Sequence, residues 1–215
     1  MIKAIIFDID DTLIDFSKTA TKQVQLIAKR LNLKPVNKKE INKLWGTTLK
    51  NIVTKIWGKK HLEKFRKEFI KIQKKSRFPP EPYSLSLIKK LKKDYRLGLV
   101  SSKSKAVLRL HMELAGFNIK DFLFINAAED SKYNKPDPRV FSKTINKLKL
   151  DPKEILYIGD SIFDYLAAKR TGFKFMAVTT GYYKSRDFQK KGLKKHYILH
   201  SLNGVEKCLN AYFVK

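Results

Sequence analysis

Hydrophobic positions along the chain follow two different periods. Ile2 to Phe7 is a short β-branched and aromatic run that stops at Asp8, the pattern of a strand buried in a parallel sheet. Between Ser17 and Arg77 the spacing becomes helical. Val24, Ile27, Ala28 and Leu31 share one face, as do Ile41, Leu44 and Trp45, and then Phe65, Phe69 and Ile72. Residues 51–56 fit a strand or a helix, and the stretch as a whole predicts three or four helices. Pro79, Pro80 and Pro82 then break the pattern, because proline cannot continue a helix. Beyond them strands and helices alternate. The pattern predicts a helix over 85–94, a strand over 97–101, a helix over 105–115 stopped by Gly116, and a strand over 122–126. It continues with a helix over 139–148, a strand over 155–158, a helix over 163–171 stopped by Gly172, a strand over 175–178, and a short strand at 197–199 before a terminal helix. Such alternation predicts an α/β fold with a doubly wound parallel sheet. The sheet unit covers 1–14 and 84–215, with a helical insertion over 15–83.

Candidate chemistry collects at the predicted strand ends, where open parallel sheets carry their sites. Asp8, Asp10, Asp11 and Thr12 follow the first strand, and Asp160 and Asp164 follow the strand over 155–158. Clustered acids need a cation among them. Carboxylates without His or Cys neighbours suit Mg²⁺ better than zinc. Ser101, Ser102 and Lys103 follow another strand and precede a helix, whose N-terminus favours phosphate. Lys135 and Pro136 precede a further helix, with Pro136 placed as a first-turn residue. Acids, a hydroxyl, an ammonium and more acids at four strand ends suit phosphoryl transfer through a phosphorylated aspartate.

In these four motifs, which span almost the whole chain in order, the sequence resembles the haloacid dehalogenase-like hydrolase superfamily. They are Asp8 to Leu13, Leu99 to Lys103, Lys135 with Pro136, and Gly159 to Asp164 followed by Ala167, Ala168 and Gly172. The resemblance implies a Rossmann-like core with a helical cap, phosphoglycolate-phosphatase-like. It implies that Asp8 is the nucleophile and that Asp10 is the acid and base. Asp8, the Asp10 carbonyl and Asp160 would hold Mg²⁺, with Asp164 behind them. Ser101 and Lys135 would grip the phosphoryl group, Ser102 would lie beside it, and Thr12 would orient the first loop. An acid at position 10 favours a phosphatase over a dehalogenase, since a halide leaving group needs no proton. Ser102 stands where many relatives have Asn. Gly46 interrupts the insertion where relatives send a loop towards the substrate, which makes Thr47 and Lys50 candidates for specificity.

Several prominent residues have plainer readings. Asp11 and Asp15 read as loop or helix-capping acids. Lys103 reads as the start of a helix, and Asp137 as a first-turn acid. His61, His111, His196 and His200 read as surface or satisfied histidines. Trp45 and Trp57 read as core of the insertion, and Cys208 as a small core residue.

Composition adds one question. The chain has 215 residues, with 47 Lys and Arg against 20 Asp and Glu, a formal net charge of +27. Residues 15–83 hold 19 basic and 5 acidic residues, about twice the positive density of the rest. A polyanion partner is the first reading of such a charge. Yet 39 of the basic residues are Lys and 8 are Arg, and they fall in scattered doublets with no nucleic-acid-binding motif. The charge therefore reads mainly as surface composition that also draws in phosphorylated substrates. One cysteine excludes an internal disulfide and a Cys-based zinc site. The N-terminal apolar run is too short for a signal peptide, and no run approaches a membrane span. The expectation is a cytoplasmic monomer or homodimer acting on a small phosphorylated metabolite. The alternatives are a nucleic-acid-associated protein, a terminal-phosphate phosphatase, or a sugar phosphomutase.

Overall fold

The computed structural model describes residues 1–213. Six parallel strands form one sheet: β1 (Ala4–Phe7), β2 (Arg96–Val100), β3 (Phe124–Asn126), β4 (Ile155–Gly159), β5 (Lys174–Val178) and β6 (Ile198–Leu199), in the order β3-β2-β1-β4-β5-β6. Chain direction across the sheet reverses between β1 and β4. The crevice at the carboxyl ends of those two strands is where a doubly wound sheet binds its ligand.

β1 is fully buried, and its alternate residues face different cores. Ile5, Phe7 and Ile9 enter one hydrophobic cluster, while Ala4 and Ile6 enter a second on the other face of the sheet. Each such fully buried aliphatic or aromatic side chain contributes about 1.5–3 kcal/mol. The first cluster continues into the inserted helices α1 (Ser17–Arg30), α2 (Lys38–Asn42), α3 (Leu49–Trp57) and α4 (Leu62–Gln73), through Val24, Ile27, Val53 and Phe65. It also takes in Leu87 on α5 (Ser84–Leu91) and Met112 on α6 (Lys105–Leu114). The two chain passages that join insertion and sheet run side by side. Ile14 bridges Pro80, the Asp15 N–H donates to the Pro79 carbonyl (3.0 Å), and the Glu81 N–H donates to the Leu13 carbonyl (2.8 Å).

The remaining helices are α7 (Ser142–Leu148), α8 (Ile162–Thr171), α9 (Ser185–Lys190) and α10 (Val205–Tyr212). Among the described residues no helix is long and apolar enough to cross a membrane. Strand positions follow the pattern reading, and four details are settled by the structure or differ from it. Residues 51–56 are helical, within α3, where Ile52 and Val53 bury one face. The helix predicted over 139–148 begins as a 3₁₀ turn at Pro138. The first-turn proline is thus Pro138 and not Pro136, and Asp137 is its N-cap, accepting from the Arg139 N–H (2.9 Å). The fourth is α9, which no periodicity announced, because its six residues bury only Phe188.

His111 on α6 seals the sheet unit against α4. Its Nε2 lies 3.1 Å from the Gln73 carbonyl, its ring packs on Phe78 at 4.6 Å, and its Nδ1 is buried without a partner. Burial, aided by the positive charge of Lys103, pushes it down to about 4. Between that value and the ordinary histidine range the unfolded chain binds a proton that the folded chain rejects. Its stabilising effect is therefore full above pH ~6.5 and is lost as pH falls towards ~4. Urea unfolding should show wild type losing about 2 kcal/mol more than His111→Gln between pH 7 and pH 4.5. A pH-independent difference between the two proteins would contradict this.

Candidate active site

The site grows from the sheet register. β1 pairs with β4 so that Phe7 faces Ile158, and the Asp8 N–H donates to the Ile158 carbonyl (2.9 Å), extending the ladder by one residue. This sets Asp8 beside the end of β4, where Asp160 follows Gly159. The turn after β4 caps α8: Ser161 Oγ accepts from the Asp164 N–H (3.1 Å), and the Ser161 N–H donates back to Asp164 Oδ2 (3.1 Å). That capping box points the other oxygen of Asp164 inward. Asp8, Asp160 and Asp164 are all buried, and each offers a carboxylate oxygen within 4.8 Å of the others.

Lys135, on the loop between β3 and α7, enters this acidic cluster. Its Nζ donates to Asp8 Oδ1 and to Asp164 Oδ1, both at 2.6 Å, and lies 3.2 Å from the Tyr157 hydroxyl. Burial works to lower the ammonium, but Asp164 and Asp8 outweigh it and hold Lys135 well above its ordinary value. Burial raises Asp8 to about 7 against the opposing pull of Lys135, with Asp164 and Asp10 adding to the rise. Burial likewise lifts Asp160 well above the carboxylate range, reinforced by Asp11 and Asp164. Gly181 lies so close to Asp160 that any side chain there would strike its carboxylate.

A divalent cation fits this donor set. Asp8 keeps one oxygen free of Lys135. Among the described residues no donor bonds the Asp160 carboxylate or the Asp10 carbonyl. Hard oxygens with spare negative charge and no soft ligand suit Mg²⁺. Both Asp164 oxygens are already engaged, by Lys135 and Tyr157 and by Ser161, so Asp164 stands behind the other groups.

The other expected residues divide. Asp10 pairs its half-buried carboxylate with Lys103 (2.5 Å) and is not among the three acids whose oxygens cluster. Lys103 is no simple helix start: it is buried, paired with Asp10, and its Nζ sits 3.3 Å above the Phe16 ring. Asp11 does cap, accepting from the N–H groups of Phe16 (3.0 Å) and Ser17 (2.8 Å) from a left-handed backbone with φ 57°. Thr12 closes the first turn through its N–H to Ile9 (3.3 Å), while its buried hydroxyl bonds nothing.

A cavity of about 550 Å³ opens above Asp8, Asp10 and Lys135 and runs under the inserted helices. Ser102, Thr47 and Lys50 line it. Ser101 does not; it lies in a small recess with Asn126 and Asn134, its hydroxyl accepting from the Lys103 N–H (3.1 Å). Gly46, at φ +92°, brings its loop down onto the sheet unit, where an added Cβ would sit 2.9 Å from Ser161 Oγ. Ser102 and Tyr183 reach the same loop, with hydroxyls 3.4 Å from the Gly46 carbonyl and 3.3 Å from the Lys43 carbonyl. Trp45 lines the cavity as well as packing on Phe16, whereas Trp57 packs on Phe65 within the insertion. Sequence reasoning missed Tyr157 and Phe16 and undervalued Lys103. A tyrosine inside an otherwise aliphatic buried strand was the available signal, since its hydroxyl requires a partner.

A family model for haloacid dehalogenase-like hydrolases matches residues 5–178, and the chain belongs to that family. Phosphoglycolate phosphatase of Aquifex aeolicus (strain VF5) is 29% identical over 196 residues, covering 85% of this chain and 87% of the relative. A putative pyrophosphatase PpaX of Clostridium perfringens is 30% identical over 185 residues, covering 83% and 84%. The crystal structure of a putative haloacid dehalogenase-like hydrolase from Bacteroides fragilis superposes with a TM-score of 0.84 at 28% identity, over 95% of this chain and all of that one.

Removing the central ammonium should be costly. Lys135→Met leaves Asp8 and Asp164 buried without a cation, and urea unfolding in EDTA should show a loss of about 3–5 kcal/mol. A loss below about 1 kcal/mol would mean that the pair is not coupled in the folded protein.

Proposed function

We propose that the chain is a Mg²⁺-dependent phosphatase that hydrolyses a small phosphorylated substrate through phosphorylated Asp8. The convergence of Asp8, Asp160, Asp164 and Lys135 at the β1–β4 crevice, with Asp10 at the cavity floor, carries the reading. In the first step Asp8 attacks phosphorus, the bond to the ester oxygen breaks, and Asp10 gives that oxygen its proton. In the second step Asp10 takes a proton from water, whose oxygen attacks phosphorus; the bond from phosphorus to the Asp8 oxygen breaks, releasing phosphate and the free Asp8 carboxylate. Lys135 favours the ionised form of Asp8 against the effect of burial and offers positive charge to the phosphoryl oxygens. Lys103 holds the Asp10 carboxylate in place beside the cavity. Asp8, Asp160 and the Asp10 carbonyl would hold Mg²⁺, which supplies charge neutralisation at the phosphoryl group.

Residues 15–83 act in this reading as a cap that excludes water from the site. The contacts of the Ser102 and Tyr183 hydroxyls with the Gly46 and Lys43 carbonyls support a cap held over the site. Ser101, set behind the cavity wall, serves as a support for the turn that carries Lys103. The basic surface, densest in the cap, raises the local concentration of anionic substrate.

Phosphate release from para-nitrophenyl phosphate should require Mg²⁺ and stop with EDTA. Asp8→Asn should lower kcat at least about 10³-fold, and Asp10→Asn should lower it about 10²–10⁴-fold for substrates with poor leaving groups. Wild-type rates from Asp8→Asn, or full activity in EDTA, would overturn the proposal.

A further inference from the structure

We propose that the cavity above Asp8 selects phosphate esters whose leaving group carries a bulky apolar or aromatic body, over short phosphorylated acids and pyrophosphate. The chemistry rests on the phosphatase reading; the selectivity rests on the cavity. Its volume of about 550 Å³ lies within the range of pockets that enclose drug-sized ligands. A phosphoryl group seated at Asp8 fills only the floor. Above it the wall is built by Phe16, Trp45, Leu49, Leu62, Phe69 and Ile70. Phe16 and Trp45 meet edge to face at 5.4 Å, and the Trp45 indole N–H is fixed on Thr21 Oγ1 (2.8 Å), so this aromatic corner is rigid.

Part of the polar wall is already engaged, although the buried Gln73 Oε1 has no partner among the described residues. Thr47 donates to the Leu44 carbonyl (2.7 Å), and Thr48 accepts from the Asn51 N–H (3.2 Å). Ser102 lies 3.4 Å from the Gly46 carbonyl, and Lys103 is paired with Asp10. A short acid would place its carboxylate among these groups with no cation of its own, while most of the cavity stayed filled with water against apolar walls. The cations nearer solvent, Lys50, Lys59 and Arg66, are exposed and share the mouth with Glu63 and Glu129. A mouth of mixed sign gives little preference to a second phosphate. An apolar body displaces the poorly bonded water and covers the wall.

The test compares 2-phenylethyl phosphate, ethyl phosphate, phosphoglycolate and pyrophosphate, the first two having leaving alcohols of similar acidity. We expect kcat/KM for the phenylethyl ester to exceed that for the ethyl ester by at least about 30-fold. Ile70→Ala should cut that ratio by about fivefold to tenfold, mainly through KM for the phenylethyl ester. Calorimetry on the Asp8→Asn protein should rank the same ligands by Kd without turnover. If phosphoglycolate or pyrophosphate is cleaved as efficiently as the phenylethyl ester, the selectivity proposal is wrong and the phosphatase reading stands. If no ester is cleaved but Asp8→Asn still binds the phenylethyl ester most tightly, the selectivity holds and the catalytic reading falls. Equal or absent binding across the set overturns the proposal.

Discussion

One buried ammonium holds the active end of the sheet together. Lys135 sits between Asp8 and Asp164 at 2.6 Å from each, and the three groups come from three different parts of the chain. Asp8 is fixed by the β1–β4 ladder, Asp164 by the capping box of α8, and Lys135 by the loop beyond β3. Asp8 and Asp164 are set by hydrogen bonds of the sheet ladder and the helix cap, which is how a fold keeps charged groups close despite their cost in burial. The ammonium meets two of the three clustered carboxylates. Among the described residues Asp160 has no bonding partner, and burial, with Asp11 and Asp164 nearby, raises its proton affinity.

A second pair, Asp10 with Lys103, sits beside the first and differs in kind. Lys103 is buried, and burial lowers its ammonium against the opposing effect of Asp10. The Phe16 ring beneath it supplies an aromatic face in place of water. The arrangement gives Asp8 and Asp10 the separate surroundings that their proposed roles require. Asp8 is neutralised from the core by Lys135. Asp10 is held from the opposite wall, beside the cavity where a leaving group would lie. Two neighbouring acids thus acquire different surroundings, the condition for giving them different tasks.

The sheet was largely legible in the sequence because its strands are short apolar runs bounded by breakers, and because strand–helix alternation admits few topologies. The acids were legible because each follows directly on such a run, so a one-dimensional pattern fixes a three-dimensional place. Lys103 was not legible for the opposite reason. Its neighbours in sequence make it a helix start, and only the return of the chain through Phe16 and Asp10 buries it. Tyr157 is similar: its ring belongs to the core and its hydroxyl to the site, and spacing alone does not distinguish those ends. The Ser101–Ser102 pair shows a finer limit. Strand alternation sends adjacent side chains to opposite faces, and beyond the last ladder residue nothing in the sequence says which hydroxyl lines the cavity. The structure puts Ser102 there.

Net charge and local chemistry pull in different directions in this molecule. The surface charge of +27 is a long-range property, and salt confines its reach to about 8–10 Å near physiological conditions. Such a field increases encounters with any anion and ranks phosphorylated molecules poorly against one another. Ranking requires contacts that differ between substrates. In this cavity the ionic groups at the floor meet the phosphoryl group that all substrates share, and the apolar wall meets the part that varies. On the proposed reading, the lysines draw anions in, and Trp45, Phe16 and their aliphatic neighbours select among them.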